Sequence, residues 1–259
     1  MKMLIIDPQY DFHDVPPAFI QDEHQPALAV PGAWEDSNRL AQFIEENQDS
    51  INEVFVTLDT HAVYDIGHAA YWINEEGVHP EPFTVITLED LQKGTWKTVD
   101  NKKQPYVLEY AKSIQDNNKM PIMVWPNHCL ENTAGYEIVP QIKEALSKLS
   151  VPIHYIKKGQ DVDAEHYGAI QAEHVINDYT DTNTELLEQL KGEKILVGGQ
   201  ALSHCLGATI EQIIDNMPTD EYQNIVLLRN TTSAVPSFEE QAEELVKNFE
   251  EKGIQVINV

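Results

Sequence analysis

Short, wholly apolar runs alternate with longer amphipathic segments along most of this 259-residue chain. An apolar run of four or five residues is typical of a strand buried on both faces of a parallel sheet. The intervening segments repeat their apolar side chains every three or four residues, as a helix packed on such a sheet does. The pattern therefore predicts an α/β protein with a doubly wound, mainly parallel six-stranded sheet and helices on both faces, a Rossmann-like architecture.

Seven apolar runs are candidates for the strands of this sheet. They are residues 3–6, 54–58, 122–125, 153–156, the run from Lys194 to Gly199, 225–228 and 254–257. Helices are predicted at residues 35–46 and 105–118, in a segment ending near 149, at 164–176, and from Cys205 to about 217. Two further helices are predicted to begin at capping boxes, which pair Thr182 with Glu185 and Ser237 with Glu240.

We expect one domain over residues 1–259, with a loop-rich insertion at about 69–120. An insertion of this length is uncommon unless it covers something, so it is either a partial lid over an active site or a passive surface excursion.

The charge balance excludes some classes of partner. The chain has 43 acidic and 17 basic residues and a formal net charge of −26, which repels phosphate backbones and anionic lipids. We therefore expect neither a nucleic-acid partner nor a membrane partner. The first apolar run is too short for a signal peptide. Two cysteines, Cys129 and Cys205, are too few for a disulfide framework, which leaves a single disulfide bond between them as the alternative to two free thiols. The sequence predicts a cytoplasmic protein, which we expect to form a homo-oligomer and to act on a small molecule.

Polar side chains that could carry out chemistry follow most of the predicted strands. In a doubly wound sheet, ligands bind beyond the carboxyl ends of the strands. The residues at these ends are Asp7, Asp59 with His61, Trp125 with His128, Lys158, and Cys205. A lone cysteine or a carboxylate after a strand is more often structural than functional, but five coincident strand ends favour a shared site.

Cys205 lies at the predicted start of a helix, after a glycine-containing turn. The free N–H groups and the positive end of the helix dipole favour a thiolate there, so we expect the pKa of Cys205 to be lowered. Asp7 could accept the thiol proton and the Lys158 cation could stabilise both anions. Backbone N–H groups of the turn could form an oxyanion hole. This set predicts nucleophilic catalysis by Cys205.

Asp59, His61 and His128 form a candidate metal site. Residues two apart in an extended segment project on the same side, and His128 from another strand end could complete the set. One carboxylate with imidazoles suits Zn²⁺, Fe²⁺ or Mn²⁺ and leaves positions open for water and substrate. The alternative is that His61 and His128 only cap loops.

These motifs resemble the isochorismatase-like cysteine hydrolases, and more specifically the nicotinamidases. The matching segments occur in the family's order: Asp7 to Phe12, Leu28 to Gly32, Asp59-Thr60-His61, Trp125-Pro126-Asn127-His128-Cys129, Lys158-Gly159, and Gly199 to Cys205. The resemblance covers the chain except for the insertion, which is similar to the longer connections of some larger nicotinamidases. Its specific part is Trp-Pro-x-His-Cys with Asp-x-His, since the isochorismatase and carbamoyl-hydrolase branches generally lack that metal signature. It implies the isochorismatase-like hydrolase fold.

The resemblance also implies roles for individual residues. Asp7, Lys158 and Cys205 match the catalytic triad, and Lys158 is preferred over Lys157 because it directly precedes Gly159. The backbone amides of Ala201 and Cys205 match the oxyanion hole, and the Gln200–Ala201 peptide matches the family's cis bond. The implied metal ligands are Asp59, His61 and His128, with His68 as a candidate fourth. The implied ion is divalent; Zn²⁺ is preferred, and Fe²⁺ and Mn²⁺ are the alternatives. The positions that match contacts to the substrate ring are Phe12, Trp125, Tyr167 and His204, although Phe12 and Trp125 could be core aromatics.

The chain departs from the family pattern at four places. Leu202 stands where the family usually has threonine, and Gln200 replaces a usually apolar residue. Extra residues separate Lys158 from Tyr167, and His68 is spaced differently from His61 than in compact members. These departures bear on the substrate and the fourth ligand and leave the triad intact.

The implied activity is an amidohydrolase reaction on a small aromatic carboxamide, namely nicotinamide to nicotinate and ammonia, a reaction of NAD metabolism, through a Cys205 thioester. One alternative is a metal-independent hydrolase of another small amide, ureido or carbamoyl compound. A second is a non-catalytic binding protein on the same fold, against which the intact triad argues.

Overall fold

The computed structural model describes residues 1–20 and 23–259. In chain order its strands are β1 (Lys2–Ile6), β2 (Glu53–Asp59), β3 (Trp72–Ile73), β4 (Val85–Ile86), β5 (Lys97–Thr98), β6 (Ile122–Met123), β7 (Ile153–Lys158), β8 (Ile195–Gly199), β9 (Ile225–Leu228) and β10 (Gln255–Ile257). The helices are α1 (Ala33–Glu46), α2 (Leu88–Lys93), α3 (Gln104–Asp116), α4 (Pro140–Ser147), α5 (Thr184–Leu190), α6 (Cys205–Asn216), α7 (Thr219–Tyr222) and α8 (Glu239–Glu251). Short 3-10 helices lie at Tyr10–Phe12, Pro17–Phe19, Gln48–Ser50, Ala69–Tyr71, Asn101–Lys103, Ala134–Tyr136 and Arg229–Thr231.

Six parallel strands form the central sheet, in the order β10-β9-β8-β1-β2-β7. Every neighbouring pair in it is parallel, which confirms the predicted doubly wound α/β fold. Alternate side chains of β1 point to opposite faces: Leu4 and Ile6 pack against one core, while Met3 and Ile5 pack against the other. Residues of α5, α6 and α8 cover the first face, and residues of α1 and α4 cover the second. Burial on both faces explains why the strands read as continuous apolar runs.

Two predicted elements are wrong. Residues 122–125 do not join the central sheet, because β6 pairs antiparallel with β4 in a separate two-stranded sheet. Residues 164–176 form no helix. Their backbone is instead bonded by α6: the amide oxygen of Gln212 accepts from the N–H groups of Ile170 and Gln171, and the Thr209 hydroxyl accepts from the N–H of Ala169. A tertiary partner for these N–H groups removes the need for a helix.

Both predicted capping boxes are also wrong. The side chain of Asn183 caps α5, where its oxygen accepts from the N–H of Leu186 at 3.0 Å. Phe238 occupies the N-cap position of α8 and makes no side-chain cap, because Ser237 adopts a left-handed φ of 73° one residue earlier.

The insertion at residues 69–120 has its own small core. The buried side chains of α3 pack there with Tyr71, Trp72 and Ile86; those of α3 are Val107, Tyr110, Ala111 and Ile114. The insertion contacts the rest of the protein near the strand ends: the hydroxyl of Tyr110 accepts from the N–H of Glu165 at 3.2 Å, and Phe83 packs edge-on against Trp125. It therefore supports side chains at the carboxyl edge of the sheet. Within the described residues, no helix has the length and apolar character that crossing a bilayer requires. Cys129 and Cys205 are both free thiols, so they form no bridge.

A buried histidine predicts a dependence of stability on pH. His13 is fully buried, with Nδ1 2.6 Å from the Gln9 carbonyl oxygen and Nε2 2.7 Å from the Ser37 hydroxyl. Burial lowers the pKa of His13 from its ordinary value of 6.5 to about 4. As the pH falls, His13 therefore binds a proton in the unfolded chain before it does so in the folded protein. The stability that neutral His13 contributes is complete above pH 6.5 and is lost as the pH falls towards 4, by about 3 kcal/mol at most.

We expect the unfolding free energy of the wild type to fall more steeply between pH 6.5 and 4 than that of His13→Gln. Urea unfolding at each pH measures both slopes. Parallel pH profiles would contradict the assignment, whatever the difference in absolute stability.

Candidate active site

Four neighbouring strands deliver the candidate catalytic side chains to one edge of the sheet. In spatial order these are β8, β1, β2 and β7. Ile6 pairs with Gly199 at the ends of β1 and β8, and Asp59 pairs with Lys158 at the ends of β2 and β7. Since the strands are parallel and in register, the residues at or just beyond their carboxyl ends meet. These residues are Asp7, Asp59, Lys158 and, after one turn, Cys205.

Lys158 lies at the centre of this group with a side chain that is only 1% exposed. Its Nζ is 3.0 Å from Asp7 Oδ2, 2.9 Å from Asp59 Oδ1 and 3.5 Å from Cys205 Sγ. It also donates to the carbonyl oxygen of His166 at 3.0 Å. Burial alone would lower the pKa of Lys158, but the two carboxylates outweigh it and hold the pKa well above its ordinary range. Lys158 is therefore a permanent cation between the carboxylates and the thiol.

Asp7 is oriented by β2. Its backbone N–H donates to the Thr57 hydroxyl at 3.0 Å, and that hydroxyl donates to Asp7 Oδ1 at 2.6 Å. This leaves Oδ2 for Lys158 and the cysteine. Burial raises the pKa of Asp7, and the Lys158 cation opposes that rise. A carboxyl group whose basicity is increased in this way is suited to accept and return a proton.

The pKa of Cys205 differs from the expectation drawn from its place at a helix start. Burial raises the pKa of the Cys205 thiol well above 9, and Asp7 adds to the rise while Lys158 opposes it. Desolvation of the anion thus outweighs the helix dipole. In the free protein the Cys205 side chain is consequently a protonated thiol, and to act as a nucleophile it would have to pass its proton to a neighbouring base.

The turn between β8 and α6 presents unpaired N–H groups beside the thiol. The peptide between Gln200 and Ala201 is cis, as the family resemblance implied. The carbonyl oxygen of Ala201 accepts from the N–H groups of His204 and Leu206. In the part of the chain that the structure describes, neither the N–H of Ala201 nor that of Cys205 has a hydrogen-bond partner. Donors without a partner at this place are what an oxyanion hole requires.

Asp59, His61 and His128 converge at the same edge. Asp59 Oδ2 is 3.2 Å from His61 Nε2 and 3.5 Å from His128 Nε2. The other ring nitrogens are already bonded: His61 Nδ1 lies 3.0 Å from Asp65 Oδ2, and His128 Nδ1 lies 2.9 Å from the Pro126 carbonyl oxygen. These contacts direct both Nε2 lone pairs towards the Asp59 carboxylate, and His61 Nε2 is buried with no hydrogen-bond partner in the described residues.

A cation resolves the mutual repulsion of these three lone-pair donors. Burial would lower the pKa of His61, but Asp59 and Asp65 outweigh it and hold the pKa well above 6.5, so in the free protein a proton on His61 can serve as this cation. Burial would likewise raise the pKa of Asp59, yet His61 and Lys158 hold it well below its ordinary value. The three ligand atoms lie within 4.8 Å of one another, so the residues present fit a divalent metal ion.

His68 lies behind this group. Its Nδ1 bonds to the Ala62 carbonyl oxygen at 2.9 Å, and its Nε2 faces His128 Nδ1 at 3.2 Å. It is not among the three side chains whose ligand atoms converge. As placed, His68 orients His128, and its role as a fourth ligand stays a prediction.

Sequence reasoning missed two acidic residues at this site. Asp65 orients the His61 ring, and Glu165 lines the same pocket as Asp59 and His128. Burial raises the pKa of Glu165 to about 7. The spacings of four residues from His61 to Asp65 and seven from Lys158 to Glu165 were visible in the sequence. In a chain with 43 acidic residues, however, neither spacing stood out.

The four candidate ring-contacting residues line one pocket beside the thiol. Phe12, Trp125, Tyr167 and His204 border it together with Cys205, Ala201, Asp59 and His128. The cavity that these side chains enclose is narrow, about 30 Å³, so a ring could enter only if the bordering side chains move apart. Trp125, Tyr167 and His204 pack edge to face around one side, and Phe12 packs edge-on against His128 on the other. The aromatic lining, rather than the volume enclosed, therefore suits a small flat ring.

Comparison with known proteins is in agreement with this geometry. No family model matches the chain. A nicotinamidase of Saccharomyces cerevisiae is 25% identical to it over 185 residues, which are 71% of this chain and 71% of that protein. The solved structure of the yeast nicotinamidase matches with a TM-score of 0.68 at 22% identity over 100% of both chains, and a structure of it bound to the inhibitor nicotinaldehyde also matches at 0.68. The pyrazinamidase of Pyrococcus horikoshii in complex with zinc matches at 0.57 and 16% identity, covering 100% of this chain and 98% of that one. These matches confirm the predicted fold and the resemblance to nicotinamidases.

Proposed function

We propose that the protein is a cysteine amidohydrolase that converts nicotinamide to nicotinate and ammonia. The observation that carries the proposal is the contact of one buried cation, Lys158, with Asp7 and Cys205, beside a pocket for a small ring. The similarity to nicotinamidases supports the choice of substrate.

In the first half of the reaction, the Cys205 thiol passes its proton to Asp7 while sulfur attacks the carboxamide carbon. The carbonyl electron pair moves to oxygen, where the N–H groups of Ala201 and Cys205 stabilise the negative charge. Collapse of this intermediate breaks the C–N bond. Asp7 gives its proton to the departing nitrogen, which leaves as ammonia, and a thioester on Cys205 remains.

In the second half, Asp7 takes a proton from water, and the hydroxide formed attacks the thioester carbon. The C–S bond breaks, the product acid leaves, and Asp7 returns the proton to sulfur. Lys158 stays protonated throughout and limits the energy of the anions around it. One water is consumed, and the protein ends as it began.

A divalent metal ion fits Asp59, His61 and His128, and we propose Zn²⁺ as its identity. When bound, the ion would offer an open coordination position to the ring nitrogen of the substrate, directly or through water. Zinc in the similar pyrazinamidase of Pyrococcus horikoshii supports this choice. The same ligand set disfavours the alternative of a metal-independent hydrolase.

Removal of the metal is expected to abolish activity reversibly. Dialysis against a chelator should remove about one equivalent of metal per chain, which elemental analysis measures. Ammonia release from nicotinamide should be lost at the same time. Added Zn²⁺ should restore both. His79→Ala is a matched control, because His79 bonds to the carbonyl oxygens of Ala69 and Trp72 outside the ligand group. Full activity in metal-free protein would reject the metal proposal.

Ammonia release from nicotinamide by the purified protein tests the substrate. Pyrazinamide, benzamide and a small ureido compound should be compared with it at equal concentration. Benzamide has the carboxamide but no ring nitrogen, so we expect it to be a poor substrate. Turnover of the ureido compound alone would favour the second enzyme hypothesis. Turnover of none of them would support a non-catalytic protein.

We also propose that residues 1–259 act as a single hydrolase domain, in which the 69–120 insertion buttresses the pocket through Phe83 and Tyr110. A cytoplasmic location and a homo-oligomeric state remain predictions, to be tested by cell fractionation and by light scattering.

A further inference from the structure

We propose that Asp36 is a positioning residue for catalysis, which holds the oxyanion-hole turn through the side chains of Gln200 and Ser233. This inference rests on the proposed hydrolase function. It assigns a purpose to Gln200, the residue in this turn that departs from the apolar residue usual in similar proteins.

Asp36 lies in the first turn of α1 and is only 3% exposed. Its Oδ2 accepts from the Ser233 hydroxyl at 2.6 Å and from Gln200 Nε2 at 3.2 Å. Its Oδ1 accepts from Nη2 of Arg39 at 2.6 Å, which provides the charge partner that a buried carboxylate needs. One carboxylate thus joins α1 to the turn at Gln200 and to the segment after β9 at Ser233.

Gln200 is fully buried, and both ends of its side-chain amide are bonded. Its Nε2 donates to Asp36, and its Oε1 accepts from the backbone N–H of Ser233 at 3.3 Å. A buried amide without partners would be costly, so Gln200 is tolerated only because Asp36 and Ser233 satisfy it. The three side chains form one hydrogen-bonded unit centred on Asp36 Oδ2.

The backbone of the turn is attached at either side of Ala201. The N–H of Gln200 donates to the carbonyl oxygen of Ile6 at 2.8 Å, and the N–H of Leu202 donates to the carbonyl oxygen of Ser233 at 2.9 Å. Between them, the N–H of Ala201 has no partner among the described residues. The carbonyl oxygen of Ser233 therefore anchors the backbone of Leu202, and the N–H of Ser233 anchors the side chain of Gln200. Asp36 in turn holds Ser233 in place.

This arrangement keeps one donor aimed at the place where negative charge develops. Such preorganisation acts on the transition state more than on the bound substrate, because only the tetrahedral intermediate carries the oxyanion. A misplacement of catalytic groups by about 1 Å can cost about 100-fold in rate. Loss of the Asp36 contacts should consequently appear in kcat and leave KM nearly unchanged.

The test compares Asp36→Asn with the wild type in nicotinamide turnover and in the binding of two probes. We expect kcat to fall by about 10- to 100-fold with KM changed by less than about threefold. Affinity for nicotinaldehyde, whose adduct with Cys205 carries an oxyanion, should fall by the same factor as kcat. Affinity for the product nicotinate should stay within about threefold. Equal losses for both probes, or an unchanged kcat, would overturn the proposal.

Asp14→Asn is the matched control. Asp14 accepts from the N–H groups of Gly32 and Trp34, so its loss also weakens the start of α1 without touching Gln200. We expect it to lower thermal stability and to leave kcat and nicotinaldehyde affinity as in the wild type. A loss of kcat in Asp14→Asn equal to that in Asp36→Asn would show that only helix stability matters and would reject the positioning role.

A double-mutant cycle completes the test. Gln200→Met removes both hydrogen bonds of the side-chain amide and keeps the side chain at nearly the same length. The kcat of Asp36→Asn/Gln200→Met should therefore be no lower than that of the worse single variant. Additive losses would show that Asp36 does not act through Gln200. If Asp36→Asn does not fold, Ser233→Ala removes the 2.6 Å contact of the Ser233 hydroxyl with Asp36, and the same separation of the two probes is expected. Absence of nicotinamide turnover in the wild type would refute the proposed function itself, and the positioning role would fall with it.

Discussion

Cys205→Ala is expected to reduce kcat for nicotinamide by about 10⁴-fold or more while the protein remains folded. The side chain is small, lies at the first position of α6, and has its close polar contacts with the side chains of Lys158 and Asp7 rather than with the backbone of the turn. Removing the nucleophile leaves only the oxyanion donors and the pocket, neither of which can form the thioester. Ammonia release measures the loss of activity, and circular dichroism tests whether the variant remains folded.

Cys129→Ala is the control for that experiment. Cys129 is also fully buried, and burial raises its pKa well above 9, but it directly follows His128 and does not border the pocket. We expect its replacement to change kcat by less than about tenfold, through packing alone. Full activity in Cys205→Ala would reject the thioester mechanism, and mass spectrometry of a stalled acyl-enzyme should place the adduct on the peptide that contains Cys205.

Lys158→Met is expected to have the second largest effect, on stability as well as on rate. The substitution leaves Asp7 and Asp59 facing each other without the cation that both contact. Breaking a buried ion pair from one side costs about 3–5 kcal/mol, because the remaining charge stays buried and unpaired. We expect the unfolding free energy to fall by about that amount and turnover to be lost. Urea unfolding and ammonia release measure the two effects, and added Zn²⁺ should recover part of the stability by neutralising Asp59.

Lys157→Met is the matched control. Lys157 precedes Lys158 on β7 but is exposed, and its ion pair with Glu131 is at the surface. Exposed pairs contribute about 0–1 kcal/mol, so stability should change little and activity should persist. Comparable losses in the two variants would overturn the preference for Lys158, which rested on its place directly before Gly159.

The strands of the central sheet could be predicted because burial of a strand requires apolar residues that are consecutive in the sequence. Each strand buried on both faces is an unbroken apolar run, and β1, β2, β7, β8, β9 and β10 were found within one or two residues of their observed ends. The same rule failed for residues 122–125. That run is equally apolar, but the insertion takes its hydrogen bonds: the N–H of Val124 donates to Thr84 and that of Trp125 to Gly67. Local hydrophobicity does not say which partner a strand will choose.

Helix boundaries failed where a side chain from elsewhere replaced a local bond. Gln212 bonds the backbone of residues 170–171, so the apolar spacing within 164–176 does not lead to a helix. Asn183 rather than Thr182 caps α5, one residue from the predicted position. Competition between local and distant partners of this kind is decided only once the chain is folded.

The sequence by itself determined the parallel α/β sheet and the strand ends that carry Asp7, Asp59, Lys158 and Cys205, whereas the aromatic residues of the pocket were implied by the family resemblance. It could do so because apolar runs, strand ends and spacing are properties of neighbours along the chain. Only the tertiary structure decided the protonation of Cys205, the orientation of His61 by Asp65, the place of His68 behind His128, and the satisfaction of Gln200 by Asp36 and Ser233. Each of these depends on burial or on distances between segments far apart in sequence. Desolvation and hydrogen-bond energies follow from those distances, and the order of residues does not contain them.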